Sequence, residues 1–233
     1  MVRILAVADE VVESLWDPMA RRLAPDLVVA AGDLPFDYLE FLQSCLDVPV
    51  VFVPGNHDPE CQADDPRRTG LFLRAGLPAP EPRPLGAVNA DVQVVDVAGL
   101  RIAGLGGCVR YRPGPHQYTQ REHARRGRRL VRRVRRLQRR SPGPVDLLVT
   151  HAPPRDLGDD PDRPHEGIDA LHDVIERLEP RLHLHGHIHP HGRTMADRAL
   201  GPTTLCNVIP YRVFDLPAAG SGQALHHADE RRA

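Results

Sequence analysis

The chain has 233 residues, a formal net charge of −1 and 41% hydrophobic residues. That length holds one large α/β domain or two small ones, and the balanced charge gives no global pull toward nucleic acid or a membrane surface. Every basic residue is Arg and none is Lys, a bias to which we attach no function. Cys45, Cys61, Cys108 and Cys206 lack CxxC spacing, so they read as reduced thiols and not as a disulfide frame or a zinc ribbon.

In chain order, "VRILAVA" (2–8) is a β-rich apolar run. It is too short for a signal-peptide core or a membrane span, and no later segment is long enough to span a bilayer. The expectation is a cytoplasmic protein with no membrane contact. A helical pattern follows at 12–23, a strand at 26–31, a helix at 37–46 and a strand at 48–53. "DVQVVDV" and "LRIAGLG" flank Ala98-Gly99 and predict a hairpin. In "REHARRGRRLVRRVRRLQRR" (121–140), Ala124, Gly127, Leu130, Val131, Val134 and Leu137 form one narrow apolar stripe, and nearly everything else is Arg. This is a surface helix with either a solvated basic face or one that meets phosphate backbone or an acidic partner. A strand at 145–150, a helix at 167–178 and a strand at 181–185 come next, then "TTLCNVI" and "YRVFDL" as two more strands. Near-continuous apolar strands alternating with helices predict buried, partly parallel sheets, two of them face to face with helices on both sides. One domain is expected over 1–216. Residues 217–233, rich in Ala, Gly, Ser and charge, are expected to be a disordered tail.

Chemistry gathers where the strands end. Asp9, Asp33, Asn56-His57-Asp58, His151, and His187 with His189 each follow an apolar run. In open α/β sheets, groups just past the carboxyl ends of strands converge on one crevice. Carboxylate, amide and imidazole without thiol suit Mn, Fe, Zn or Ni better than a structural zinc site. Each piece alone has a plain structural reading: a helix cap, a turn, a packed histidine. Five such pieces in one order argue for a site.

"GD" (32–33), "GNHD" (55–58), "TH" (150–151) and "GHIH" (186–189) resemble the motifs of the calcineurin-like metallophosphoesterase superfamily, from Val2 to about Leu216. The resemblance implies a four-layer α/β sandwich of two mixed sheets flanked by helices, and a two-metal phosphoesterase site. Carried over position by position, Asp33 is expected to bridge the metals. Asp9 and His189 hold the first, and Asn56, His151 and His187 hold the second. His57 is expected to assist the leaving oxygen, with Asp58 orienting its ring. The resemblance further implies that a metal-activated hydroxide would attack phosphorus; the pKa of water falls from ~15.7 to about 7 on such an ion. Gly186 is expected to let the backbone turn beside the ions. His185 is a strand residue that either packs or orients a ligand, His183 packs, and His191 faces solvent. Manganese is the leading metal, as one or two ions.

One position departs from the pattern. The family's first motif is Asp-x-His, and here it reads Asp9-Glu10-Val11. The first metal therefore lacks an imidazole. Glu10 is expected to point away unless the chain kinks at that point, and Glu13 to serve the start of a helix. The second site is the more secure of the two. "RYRPGPHQYT" (110–119) places Arg110, Tyr111, Arg112, His116 and Tyr118 around a stiff Pro-Gly-Pro, either as a phosphate or base clamp or as a plain turn with solvated arginines. His165 lies just before a helix and either lines the pocket or caps nothing. Three readings follow: a hydrolase of phosphodiesters or nucleotide-like esters, a catalytically weakened metal-binding module whose Arg-rich helix 121–140 binds nucleic acid or an acidic partner, and a nuclease that joins the two.

Overall fold

The computed structural model describes residues 1–16, 18–59, 72–74, 77–79, 84–193 and 195–217. Cys61 and the expected tail beyond Pro217 lie outside the described residues. The strands are β1 (Val2–Val7), β2 (Leu27–Ala30), β3 (Val50–Phe52), β4 (Phe72–Arg74), β5 (Leu77–Ala79), β6 (Val88–Asn89), β7 (Val94–Val97) and β8 (Leu100–Leu105). They continue as β9 (Cys108–Val109), β10 (Gln117–Tyr118), β11 (Leu147–Thr150), β12 (Leu182–His185), β13 (Arg198–Leu200), β14 (Thr203–Asn207) and β15 (Tyr211–Leu216). The α-helices are α1 (Phe36–Leu46), α2 (Gln120–Gln138) and α3 (Ala170–Leu178).

One sheet runs β15-β1-β2-β3-β6 and the other β13-β14-β12-β11-β8-β7. In the first, β1, β2, β3 and β6 are parallel and β15 is antiparallel to β1. In the second, β8, β11, β12 and β14 are parallel, with antiparallel β7 and β13 at the edges. Both sheets are mixed, as expected. Alternate residues of each strand face opposite ways. Ile4, Val29 and Val51 of one sheet meet Ile102, Val149 and Leu184 of the other in a shared core. Leu5, Val28 and Phe52 face outward onto Tyr38, Leu39 and Leu42 of α1. Leu105 and Leu148 face outward onto Leu130 and Val134 of α2 and Leu171 and Val174 of α3. The order helix, sheet, sheet, helix gives four layers.

Two local outcomes have clear causes. The turn between β7 and β8 has positive φ at both Ala98 (51°) and Gly99 (77°), the handedness that matches strand twist in a two-residue hairpin. The expected helix at 12–23 is instead two 3₁₀ segments, Glu13–Leu15 and Pro18–Leu23. Pro18 supplies no N–H and disfavours α geometry in the residue before it, so an α-helix cannot run through. Trp16 still anchors the segment, its ring 4.6 Å from Phe41 and 5.1 Å from Tyr38.

Candidate metal centre

All the parallel strands of the core deliver their carboxyl ends to one edge of the sandwich, and the motif residues sit there. Asp9 follows β1, Asp33 follows β2, Asn56 to Asp58 follow β3, His151 follows β11, and His187 and His189 follow β12. His151 Nδ1 donates to Ala31 O across 2.8 Å, which ties the end of β11 to the end of β2. The two sheets are thereby joined at the site.

That bond also fixes the ring. With Nδ1 carrying the proton, His151 Nε2 presents a lone pair. It faces Asn56 Oδ1 at 3.0 Å, Asp33 Oδ2 at 3.3 Å and His187 Nδ1 at 3.1 Å. His187 is fixed in the same way, because its Nε2 donates to Pro164 O at 2.9 Å. Two imidazole lone pairs and two oxygens therefore converge in a buried space, with only acceptors around its centre. Such an arrangement calls for a cation. One oxygen from each of Asp9 and Asp33 and one nitrogen of His151 all lie within 4.8 Å of one another. The donor set is nitrogen and oxygen only, and it fits a divalent transition ion.

The electrostatics express the same demand. Burial works against a charged His151, yet Asp33 and Asp9 outweigh it and raise His151 to about 10. Burial likewise works against a charged Asp33, but His151 and the His57 N–H hold it at about 2. Burial lifts Asp9 to about 6, against His151 and a backbone bond from His187. Burial and the charge on His151 together press His187 down to about 3.

The backbone is shaped for this crowding. A Cβ on Gly32, at φ 94°, would lie 2.6 Å from Gly55 N and 2.7 Å from His151 Nδ1. A Cβ on Gly186 would lie 2.2 Å from Asp9 Oδ2. Gly186 is needed for that close approach, and the left-handed turn expected there falls on His187, at φ 68°. The His187 N–H then donates to Asp9 Oδ2 at 2.9 Å.

Two residues differ from expectation, Asp58 and Glu10. Asp58 does not face the His57 ring. Its buried carboxylate accepts Gly55 N–H at 2.7 Å and Asp33 N–H at 3.0 Å, so it braces two loops. His57 is exposed at the rim, anchored by its own N–H to Asp33 Oδ1 at 2.7 Å. Glu10 does not point away. Asp9 adopts φ 60°, the chain kinks, and Glu10 Oε1 meets His189 Nδ1 at 3.0 Å. His183 packs in the strand, bonded through Nε2 to Thr150 Oγ1 at 2.7 Å. His185 is buried against Gly186 O, and His191 is exposed. His165 lies beside the centre, its ring 5.4 Å from that of His187 and its Nδ1 on Asp162.

The loop after β9 is mostly occupied with itself. Arg110 bonds Gln117 O and pairs with Glu122 at 3.1 Å. The Tyr118 ring lies edge-on to His123 and under the Arg126 guanidinium at 3.8 Å. Neither residue is presented as a clamp. His116 reaches the Pro59 carbonyl at 2.9 Å and so closes the loop onto the turn that carries Asn56. Arg112 stays exposed, its guanidinium 5.3 Å from the Tyr111 ring. Tyr111 was expected only in the candidate clamp. Its hydroxyl receives Asn56 Nδ2–H at 3.3 Å, which holds the amide oxygen toward the centre. An aromatic residue beside two arginines gave no sign of that role, because the contact spans 55 positions.

A family model, calcineurin-like phosphoesterase, matches residues 5–191. The chain belongs to the calcineurin-like phosphoesterase family. Metal-dependent hydrolysis of phosphoesters is the chemistry that membership implies. A human relative, metallophosphoesterase domain-containing protein 1, is 37% identical over 89 residues, which is 33% of this chain and 26% of that protein. Its mouse counterpart matches to the same extent. The match thus spans about a quarter of the length of these curated relatives. Among solved structures, TT1561 of Thermus thermophilus aligns with TM-score 0.53 and 16% identity over 88% of this chain and 87% of that one. Another solved chain aligns with TM-score 0.58 and 18% identity over 91% of this chain and 94% of its own. At these identities the likeness is one of fold.

Proposed function

We propose that the chain hydrolyses phosphate esters, with phosphodiesters or nucleotide-like compounds as substrates, at a divalent-metal centre. The observation that carries this reading is the set of facing acceptors His151 Nε2, His187 Nδ1, Asn56 Oδ1 and Asp33 Oδ2, with Asp9 beside them. Asn56, His151, His187 and Asp33 hold the tighter ion. Asp33, Asp9 and His189 hold the weaker one, with manganese the leading candidate for both. Ions held there supply Lewis acidity toward phosphoryl oxygens and make water acidic near neutral pH. The chain's own residues do the rest. Asp33 draws the two halves of the centre together, and Asp58 keeps the loops of Asp33 and Gly55 in register. His57 stands at the rim, where its ring can give a proton to the departing oxygen. Arg112, exposed beside the Tyr111 ring, is the side chain that would meet a substrate phosphate; His116 supports that loop from Pro59. Such a protein is expected to work in the cytoplasm.

The test is a screen of metals against substrates. The metal-free protein is reloaded with Mn, Fe, Zn, Ni or Mg and offered aryl phosphomonoesters, aryl phosphodiesters and nucleotides. Turnover of a diester with at least one ion supports the reading, and no turnover under any combination overturns it.

A second reading rests on α2. Its outward arginines, among them Arg125, Arg128, Arg129, Arg132 and Arg136, are exposed at spacings of three and four. Arg126 and Arg133 turn inward instead, to Asp91 and to Val92 O. That outward face suits a phosphate backbone and supports a nuclease or a nucleic-acid-binding role.

A further inference from the structure

We infer that Glu10 is a positioning residue that orients His189 at the weaker metal position and offsets the imidazole that position 11 does not provide. This rests on the metal-centre reading given above, and it concerns only how the chain holds its third metal-facing histidine.

Three histidines face the centre, and two have one ring nitrogen tied to a backbone carbonyl, His151 to Ala31 O and His187 to Pro164 O. His189 has the same arrangement with a carboxylate in place of the carbonyl. Its Nδ1 lies 3.0 Å from Glu10 Oε1, and its Nε2 faces Asp9 Oδ1 at 3.8 Å. A carboxylate only accepts, so Nδ1 carries the proton and Nε2 keeps its lone pair on the Asp9 side. Glu10 therefore touches the face of the ring away from the centre and is not itself placed as a ligand. A carboxylate behind a ligating imidazole fixes the ring and increases its basicity.

The contact depends on a specific backbone event. Asp9 sits at φ 60°, a conformation costly for a residue with a side chain, and the Glu10 N–H closes onto Ala8 O at 2.6 Å. This tight turn throws Glu10 across to a residue 179 positions away. The side chain at position 11, by contrast, is Val and is 40% exposed. A site with one imidazole fewer relies more on the one it keeps, and here the ring nitrogen turned from Asp9 meets a carboxylate where His151 and His187 have a carbonyl.

The experiment is metal titration by calorimetry on chelator-stripped wild type, Glu10→Gln and Glu10→Ala, with stoichiometry checked by elemental analysis and folding by circular dichroism. Wild type is expected to bind a tight and a weak ion. Glu10→Ala is expected to weaken the weak ion about 10- to 100-fold and leave the tight one unchanged. Glu10→Gln, which keeps an acceptor without the charge, should fall between them. Unchanged affinities in Glu10→Ala overturn the inference while leaving the metal-centre reading intact. Equal loss of both ions also overturns it, since that marks general damage. A wild type that binds no metal removes both.

Discussion

At the level of single side chains, His57 and Asp58 are neighbours with separate tasks. His57→Ala should keep both ions and lose about 100- to 10,000-fold in turnover, the usual worth of a general acid. Substrates with poor leaving groups should suffer most, and equal turnover on such a substrate would remove His57 from the chemistry. Asp58→Ala should behave differently. It strands the buried N–H of Gly55, at a cost of about 1–3 kcal/mol, and the partly buried N–H of Asp33. Its signature is a lower unfolding midpoint together with weaker metal binding. Burial raises the pKa of Asp58, and the two N–H bonds oppose that rise. A variant that is fully stable and metal-replete but slow would instead restore Asp58 as a partner of the His57 ring. Arg112→Ala should raise KM more than it lowers kcat, as loss of uniform substrate binding does. Arg110→Ala should leave KM within about twofold, because Arg110 serves an exposed pair with Glu122, and such pairs contribute little. Identical kinetics for both variants would leave the loop with no part in substrate binding.

Among the elements, α2 carries the open question. Its start is well specified. Thr119 and Glu122 exchange side-chain and backbone bonds in a capping box. Leu130, Val131 and Val134 bury the inner stripe, and Gly127 allows α3 close, since a Cβ there would meet Val174 at 2.9 Å. None of this needs the outward arginines, so their charge can be changed without unfolding the helix. Binding of a duplex oligonucleotide should then fall with salt at a slope of about −0.9 per phosphate contacted. Replacing Arg128, Arg132 and Arg136 by Gln should flatten that slope by about 1 per arginine. A slope that does not change means that the face is merely solvated.

For the molecule as a whole, the net charge of −1 hides a strong separation. The outward face of α2 is basic, while acidic groups line the metal edge. Buried histidines also set the response to acid. Burial lowers His123 and His185 to about 4, and it lowers His183, whose Nδ1 has no partner among the described residues, well below 6.5. Unfolded histidines titrate near ~6.5. Above that pH these three are neutral in both states and add nothing to the pH dependence. Below it the unfolded chain takes up protons that the folded one refuses, so stability falls as pH drops from about 6.5 toward 4. Each histidine contributes a slope of about 1.4 kcal/mol per pH unit in that window. Denaturant unfolding at pH 7.5, 6 and 5, with chelator throughout, should show this loss, and His123→Gln should make it smaller. An equal midpoint at all three pH values would contradict it.

The strands and the donor types at their ends could be read from the linear chain because both depend on local chemistry. Short β-branched runs such as "DLVVAA" and "VPVVFV" have no comfortable place except a buried sheet. Carboxylate, amide and imidazole after those runs already name the donor types. Pro18 carried its own signal, since a proline inside a helical pattern is reason enough for the 3₁₀ segments. Other features were decided by parts of the chain far apart. The direction of Glu10 depends on a kink at Asp9 and on a ring 179 positions away. The partners of Asp58 and the placement of Tyr111 depend on loops that meet only after the sheets pack. The atoms that fix the tautomers of His151 and His187 are the carbonyls of Ala31 and Pro164. Every residue has such a carbonyl, so nothing in the sequence marks these two; only folding brings them to the rings.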